Sequence, residues 1–286
     1  MARVGIIGGS GLYKIEGLKI IKQVAVKTPF GCPSDKFTLG ELEGQEVVFL
    51  PRHGVGHRIS PSQINYRANI FAMKKLGVDR IISVTACGSL KEELKPLDFV
   101  VVDQFVDRTN QARKMTFFDQ GIVSHIVFSD PVCPQLSAGI YEAGKSLNLN
   151  MHKGGTYLNM EGPQFSTLAE SKLYRSWGMD VIGMTNMPEA KLCREAEICY
   201  STLACITDYD CWHPNHASVT LEMVISNLQK NVDNAKKIIS RAIQGLNPRH
   251  SCGCGEALKF AIVTDHKLIP AKVKRDLNII IGKYVK

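Results

Sequence analysis

Short apolar runs recur along the chain, separated by stretches in which apolar residues follow helical spacing. A run of about four to eight apolar residues, bounded by glycine or polar residues, is typical of a buried strand. We therefore predict strands at residues 4–7, 46–50, 80–84, 99–106, 155–160, 180–184 and 198–206. A glycine-rich or polar loop follows most of them.

Helical spacing between these strands predicts the helices. The first has Ser60 as its N-cap and Pro61 at its first position, and it stops at Gly77. Further helices are predicted at residues 135–147, 168–177, after Pro188, and at about 219–243, with a polar loop from 107 to about 124. This alternation predicts a single α/β domain with a mixed central β-sheet flanked by helices. We place it at residues 1–245, with a C-terminal extension at 246–286 packed on the same domain.

Composition limits the class of protein. The chain has 286 residues, of which 44% are hydrophobic and 22% charged, which is ample for a core. No apolar run approaches the roughly 20 residues that span a bilayer. Glycine appears too early at the N-terminus for a secretory signal, so we expect a cytoplasmic protein without a membrane partner. The net charge of +8 is spread along the chain, which favours small anionic substrates over nucleic acid.

Nine cysteines are present, and most lie in apolar runs, where a free thiol packs as a small hydrophobe. The exception is the Cys252-Gly-Cys254 pair. It is compatible with a strained disulfide, with half of a metal site, or with no special role. A zinc site needs further ligands at suitable spacing, and the sequence has no second C-x-C or C-x-x-C, so no metal is expected.

Two small-residue loops, at residues 8–11 (GGSG) and 85–89 (TACGS), follow predicted strands. Their backbone N–H groups and hydroxyls are typical of an anion site, although a tight turn explains each equally well. The first loop is neither G-x-G-x-x-G nor followed by a Walker lysine, which argues against a nucleotide-phosphate loop.

The segment Arg52-His53-Gly54-Val55-Gly56-His57 is more specific. Two histidines four residues apart resemble a zinc pair on a helix, but the two glycines make this segment a loop. Arg52 would repel a cation, and arginine suits bidentate binding of phosphate. We therefore favour an anion site here over a metal site or a purely structural role.

Residues 160–166 (MEGPQFS) join a strand to a helix. Phe165 is suited to stacking on a flat base and Ser166 to hydrogen bonding it, although a rigid turn with a core phenylalanine fits the spacing better. Further along, the hydroxyl of Thr185 suits the anion site and Met184 suits a sugar face. A structural role explains both equally well.

Asp208 and Asp210 follow the apolar run 198–206. If the strand geometry persists, their side chains point to the same side, at the strand end where ligands bind in α/β sheets. Two nearby carboxylates raise each other's pKa, so one can hold a proton at neutral pH. The alternative is a helix cap or a turn, where aspartate is also common.

Taken in order, the motifs become recognisable. They are GIIGGSGL, TPFG, RHGVGH, PSQINYRANI, TACGSL, DQFVDRT, EGPQFST, RSWGMDVIGMT, PEAKLCREAEICY and TDYDCW. With their spacing, over residues 3–245, the chain resembles the 5′-methylthioadenosine phosphorylases, which form part of the trimeric branch of the purine nucleoside phosphorylase family.

This resemblance implies phosphorolysis of 5′-methylthioadenosine to adenine and 5-methylthioribose 1-phosphate, in purine and methionine salvage. Phosphate is a co-substrate, so no cofactor is implied. A homotrimer is implied as well, and a hexamer built as a dimer of trimers is compatible with it.

The resemblance also implies residue roles. Asp208 corresponds to the acid facing purine N7, and Asp210 supports the exocyclic amino group. His125 resembles a residue lent by a neighbouring subunit, and Gln164 stands where many relatives have arginine and receives no role. The full set is Ser10, Arg52, His53, Thr85, Ala86 and Thr185 for phosphate; Met184, His57, His125 and Val219 for the ribose and its 5′-substituent; and Phe165, Ser166, Asp208 and Asp210 for the base.

Three other functions compete with this one. The nearest is a broader purine nucleoside phosphorylase acting on adenosine or inosine. A dinucleotide-binding oxidoreductase lacks the third glycine of its fingerprint, and a nucleic-acid-binding module has only the net charge in its favour. Resemblance to thermophilic members further implies a Cys252–Cys254 disulfide, and a second one between Cys133 and one of Cys193, Cys199 or Cys205.

Overall fold

The computed structural model describes residues 3–9, 12, 15–111, 113–214, 221–247 and 251–286, with only the backbone at 221–224. Ser10 and Val219 of the predicted site lie outside these residues. No helix in the described ranges is long and apolar enough to cross a membrane.

Eleven strands among the described residues form one mixed sheet. They are β1 (Arg3–Gly8), β2 (Lys19–Val24), β3 (Phe37–Leu42), β4 (Gln45–Pro51), β5 (Val78–Ser89), β6 (Phe99–Val101), β7 (Gln104–Arg108), β8 (Met151–Lys153), β9 (Thr156–Met160), β10 (Val181–Gly183) and β11 (Cys199–Asp208). The main path runs β2-β3-β4-β1-β5-β10-β9-β7, and β11 pairs with β5 and β6.

Parallel pairing at the centre of the sheet brings several strand ends together. β1 pairs in parallel with β4 and β5, and β5 pairs in parallel with β11. The carboxyl ends of these four strands therefore meet at one edge. β10 is antiparallel to the last residues of β5, and β9 is parallel to β10. In α/β sheets this edge is where ligands bind.

Seven α-helices in the described part of the chain pack around the sheet. They are α1 (Tyr66–Lys75), α2 (Pro134–Ser146), α3 (Leu168–Ser176), α4 (Asn186–Glu195), α5 (Leu221–Gln244), α6 (Ala271–Asp276) and α7 (Asn278–Ile281). One apolar core joins α1, α4, α6 and α7, and a second joins α2 and α5. Helices therefore cover both faces of the sheet, which confirms the predicted fold class.

Several predicted boundaries were wrong. The strand predicted at 99–106 is two strands, because the chain leaves β6 at Val102 and Asp103 before it begins β7. Ser60 precedes a short 3-10 helix (Pro61–Gln63) without capping it through its side chain. Asn65 instead caps α1 by accepting a hydrogen bond from the N–H of Ala68. The strands β2, β3 and β8 were not predicted.

The C-terminal segment contains a 3-10 helix (Gly253–Glu256) as well as α6 and α7. Val273, Leu277 and Ile280 of this segment are buried in the same apolar core as α1. Glu197 anchors it further, because its Oε1 accepts hydrogen bonds from the Tyr284 hydroxyl and the Leu258 N–H. The boundary at residue 245 stays a prediction.

No disulfide bond is formed among the nine cysteines, all of which the structure describes, so neither expected disulfide is present. Cys133 lies close to Cys199, and not to the other two candidate partners. Cys193 belongs to the opposite apolar core. Cys205 lies six residues further along β11, about 20 Å away at the usual rise of a strand.

Candidate active site

A cavity of about 640 Å³ lies where the strands β1, β4, β5, β9, β10 and β11 end. The parallel strands converge there, and the loops that follow them form its walls. Of the predicted site residues, the cavity brings together Arg52, His53, His57, Thr85, Ala86, Phe165, Met184, Thr185, Asp208 and Asp210. Residues 225, 228 and 232 of α5 add an apolar wall.

Arg52 is buried and already paired within the protein. Its Nε lies 2.5 Å from Oε1 of Glu189, and its Nη2 lies 3.2 Å from Oε2 of the same carboxylate. Nη2 also donates to the Ser83 hydroxyl and Nη1 to the Val84 carbonyl. Since a guanidinium has five N–H bonds, one remains for a ligand. The bidentate partner of Arg52 is therefore Glu189, so Arg52 can offer a ligand one N–H and not a bidentate pair.

His53 is held as a neutral ring. Its Nδ1 lies 2.8 Å from the Ile59 carbonyl, which only accepts, so Nδ1 carries the proton and Nε2 is an acceptor. Burial lowers the pKa of His53 to about 4, and the charge of Arg52 adds to this effect. The ring of His57 stacks on it, with centroids 4.2 Å apart. An anion here would meet a hydrogen-bond acceptor, which suits a phosphate that carries a proton.

Two threonines, Thr85 and Thr185, bring hydroxyl groups to the wall of the cavity. Thr185 is buried and precedes α4, yet its side chain does not cap that helix. Thr85, also buried, is followed in β5 by Ala86. Hydroxyls together with the N–H groups at the start of a helix favour an anion. Arg52, balanced by Glu189, is the one Arg or Lys among the described residues that line the cavity.

Asp208 and Asp210 both line the cavity and are both buried, each with 7% of its surface exposed. Strand geometry does not bring them together, contrary to our expectation. β11 ends at Asp208, after a register shift, and Asp210 has a φ of +52°. The Asp210 N–H donates to Oδ1 of Asp208 at 2.8 Å, which closes a turn of the kind aspartate favours. The turn and the carboxylate pair are therefore the same structure.

The acid pair has raised pKa values. Burial raises the pKa of Asp208 to about 6, and the negative charge of Asp210 also raises it. Hydrogen bonds from the Thr207 hydroxyl and the Asp210 N–H lower it, but their effect is smaller. Burial also raises the pKa of Asp210, while nearby serine hydroxyls oppose the rise. Oδ2 of Asp210 is buried and has no hydrogen-bond partner among the described residues. A buried acceptor of this kind is costly unless a ligand satisfies it.

Gly88 allows the acid pair to pack closely against β5. A Cβ atom at this position would lie 2.9 Å from Oδ1 of Asp208 and 3.3 Å from Cβ of Asp210. It would also lie 3.1 Å from Cγ2 of Ile182. A side chain here would therefore push on the carboxylates themselves. We had treated this glycine only as part of an anion loop.

A second buried ion pair supports Met184. The Arg113 guanidinium donates to Oε1 and to the carbonyl of Glu161, at 3.0 and 2.6 Å. It also donates to the Met184 carbonyl at 2.5 Å. Arg113 comes from the long loop that we predicted only as polar, and sequence reasoning gave it no role.

The remaining predicted residues take different positions. Phe165 lines the cavity with 47% of its surface exposed, so it is not the core residue that its spacing favoured. Ser166 is partly buried, with its hydroxyl 3.7 Å from Sδ of Met160. His125 lies outside this cavity, beside a smaller one of about 320 Å³ that includes Arg194 and Phe260.

Comparison with known proteins identifies the family of this chain. A family model described as Phosphorylase superfamily matches residues 3–244. The chain belongs to the phosphorylase superfamily. Among curated relatives in this superfamily, the S-methyl-5′-thioadenosine phosphorylase of Geobacter sulfurreducens is 56% identical, covering 99% of both chains. That of Koribacter versatilis is 54% identical, covering 99% of this chain and 97% of its own.

Solved structures of the phosphorylase superfamily also match closely. A methylthioadenosine phosphorylase from an Antarctic soil metagenomic library superposes with a TM-score of 0.91 at 48% identity, covering 98% of both chains. The methylthioadenosine phosphorylase of Schistosoma mansoni in complex with adenine gives a TM-score of 0.84 at 35% identity, covering 90% of this chain and 96% of its own.

Proposed function

We propose that this protein is a pentosyltransferase that cleaves 5′-methylthioadenosine with phosphate, releasing adenine and 5-methylthio-α-D-ribose 1-phosphate. One observation carries the proposal. A buried acid pair with raised pKa values shares a cavity with two threonine hydroxyls, a neutral histidine and an arginine. Curated relatives over the full length of the chain, 46–56% identical to it, are named for this activity.

The acid pair is placed to assist the leaving group. Cleavage of the glycosidic bond leaves negative charge on the purine, and a proton delivered to N7 neutralises it. Asp208, with a pKa of about 6, holds a proton in about a tenth of molecules at pH 7. A carboxyl with a pKa near the working pH is suited to this role. We assign the proton transfer to Asp208.

Asp210 then provides specificity. Its Oδ2 is a buried acceptor with no partner among the described residues. The amino group at C6 of adenine donates hydrogen bonds and satisfies this atom, whereas the carbonyl oxygen of a 6-oxopurine would face it with another acceptor. This argument favours methylthioadenosine over inosine. Phe165 and Ser166 complete the proposed base site.

Phosphate is held, in this proposal, by hydroxyls and N–H groups more than by net charge. The proposed ligands are Ser10, Arg52, His53, Thr85, Ala86 and Thr185. Arg52 contributes its one remaining N–H, and Nε2 of His53 accepts a hydrogen bond from the O–H of a protonated phosphate. Dipoles that are already oriented stabilise charge without reorganising, which is the largest contribution in many active sites. No metal or organic cofactor takes part in this mechanism.

The ribose and its 5′-substituent are assigned to Met184, His57, His125 and Val219. His125 lies outside the cavity of its own chain, so this assignment requires a neighbouring subunit. We therefore propose a homotrimer, with a dimer of trimers as a compatible larger assembly. A cytoplasmic location and a place in purine and methionine salvage are part of the same proposal.

The test is a side-by-side assay of methylthioadenosine, adenosine and inosine with phosphate. We expect adenine release from methylthioadenosine with the highest kcat/KM and little hypoxanthine from inosine. A kcat/KM for inosine equal to or above that for methylthioadenosine would instead identify the broader purine nucleoside phosphorylase.

A further inference from the structure

A cluster of four cysteines lies far from the cavity, at the opposite end of β11. Its members are Cys133, Cys199, Cys252 and Cys254, and their four Sγ atoms all lie within 4.8 Å of one another. Three of the four residues are buried, and Cys252 is partly buried. β11 runs from Cys199 to Asp208, so the cluster lies about 30 Å from the acid pair at the usual rise of a strand.

Three separate parts of the chain contribute to this cluster, and each cysteine lies in or next to a helix or a strand. Cys133 precedes the first residue of α2, and its N–H donates to the Tyr200 carbonyl at 2.8 Å. Cys199 begins β11. Cys254 belongs to the 3-10 helix of the C-terminal segment, and Cys252 is the residue that precedes this helix. Only Cys252 and Cys254 are close in sequence, and Cys199 lies 53 residues before Cys252, so local spacing reveals half of the cluster at most.

The distances suit a metal ion better than a set of unrelated thiols. Zinc binds cysteine sulfur at about 2.3 Å, which places the sulfurs of a regular tetrahedron about 3.8 Å apart. Sγ of Cys199 and Sγ of Cys252 lie 3.3 Å apart, and no pair exceeds 4.8 Å. A disulfide bond needs about 2.05 Å, well below the 3.3 Å between these two sulfurs, and two such bonds would be needed to engage all four cysteines. A tetrahedral ion engages all four at once.

The cluster also favours negative charge on sulfur. Cys133 lies at the N-terminus of a 13-residue helix, which stabilises a thiolate.

We propose that the four-cysteine cluster binds one zinc ion in a closed tetrahedral site that fixes the C-terminal segment to the sheet. Binding exchanges the thiol protons for the metal, so protons leave to solvent and no oxidant is needed. A site with four protein ligands has no open position and serves structure, not catalysis. The proposal is independent of the proposed reaction, since the cavity lies at the other end of β11.

The test is metal analysis of the full-length protein, purified anaerobically with reductant, loaded with zinc and then dialysed. We expect one zinc ion per chain. Cobalt in place of zinc should give the thiolate charge-transfer and tetrahedral absorption bands of a four-sulfur site. Loss of the added zinc on dialysis, or a cobalt spectrum without thiolate bands, would overturn the proposal, and neither result depends on the folding of a variant.

Cysteine variants locate the metal. Cys252→Ser and Cys199→Ser should lose the bound zinc and lower the melting temperature by about 5 °C or more, with kcat/KM unchanged. Cys193→Ser is the matched control for Cys199→Ser, because Cys193 is buried like Cys199 but belongs to the opposite core, and this variant should keep its zinc. Zinc retained by both cluster variants would contradict the assignment. A Cys252–Cys254 or Cys133–Cys199 disulfide in the anaerobic protein would contradict it as well.

Discussion

The backbone N–H of Asp210 donates a 2.8 Å hydrogen bond to Oδ1 of Asp208, which joins the two acids in a single turn. The Thr207 hydroxyl occupies the other oxygen of Asp208 at 2.7 Å. Asp210 keeps Oδ2 buried and without a partner among the described residues. The two carboxyls are therefore not equivalent, and this difference underlies the roles proposed for them.

Asp208→Asn tests the proton donor. We expect kcat/KM for methylthioadenosine to fall by roughly 10²–10⁴-fold, because an amide cannot protonate N7. The ratio of inosine to methylthioadenosine cleavage should rise, since an amide can donate to a 6-oxo group. Phosphate-dependent release of the two bases measures both effects. Asp233→Asn, an exposed change on α5, is the control and should leave both values unchanged. Unaltered adenine preference in Asp208→Asn would refute the assignment.

The raised pKa of Asp208 predicts a stability cost at neutral pH. Its pKa is about 6 in the folded protein, against 3.8 for an unperturbed aspartate. The folded state thus holds the proton more tightly than the unfolded state. Relative to high pH, this proton stabilises the folded protein fully below pH ~4, and the stabilisation is lost as the pH rises through about 6. The shift corresponds to roughly 2–3 kcal/mol.

Removing the charge should recover part of that cost. We expect Asp208→Asn to be more stable than the native protein by roughly 1–2 kcal/mol at pH 7, and to show no advantage at pH 4. Urea denaturation at the two pH values measures the difference. Equal stability of the two proteins at pH 7 would show that burial does not raise the pKa of this carboxyl.

Glu189→Gln tests the buried partner of Arg52. The substitution leaves the guanidinium charge buried and unpaired, so we expect a loss of about 3–5 kcal/mol in the free energy of unfolding. The KM for phosphate should rise as well, because Arg52 loses its orientation. Glu46→Gln breaks the half-exposed pair with Arg3 and should cost about 1 kcal/mol or less. A similar loss in both variants would contradict the structural role of Glu189.

Gly88→Ala tests the close packing behind the acid pair. The added methyl group would lie 2.9 Å from Oδ1 of Asp208, so the carboxylate must shift. Because small displacements at a reacting centre are costly, we expect kcat/KM to fall about 10²-fold. At Gly139, in α2, an added Cβ meets nothing within 4 Å. Gly139→Ala should therefore keep full activity and gain about 0.5–1 kcal/mol of stability. Full activity in Gly88→Ala would contradict the account.

The sequence predicted the strands whose apolar runs correspond to buried residues. The strands β5 and β11 are buried almost throughout, so their apolar runs were visible. By contrast, five of the six residues of β2 are exposed, and its lysines and isoleucines show no alternation. β8 has only three residues, which is too short for a period. Exposed edge strands depend on their neighbours for pairing, so their own sequence identifies them poorly.

The site was predictable where one segment carries the chemistry. Arg52 with His53, and Asp208 with Asp210, are adjacent or two apart, so their motifs indicated an anion site and an acid pair. Glu189 lies 137 residues from Arg52, and Arg113 lies 48 residues before Glu161. These contacts arise only when the strands assemble. Of the four-cysteine cluster, the sequence indicated only the Cys252-Gly-Cys254 pair as half of a metal site, because Cys133 and Cys199 join it only when the chain folds.

The most direct test of the proposed reaction is to identify the sugar product. Methylthioadenosine is incubated with the protein with and without phosphate, and the products are followed by ³¹P NMR and chromatography. Phosphorolysis predicts adenine and 5-methylthioribose 1-phosphate in equal amounts, and neither product without phosphate. Free methylthioribose formed at the same rate without phosphate would show that the protein is a hydrolase, and would contradict the account.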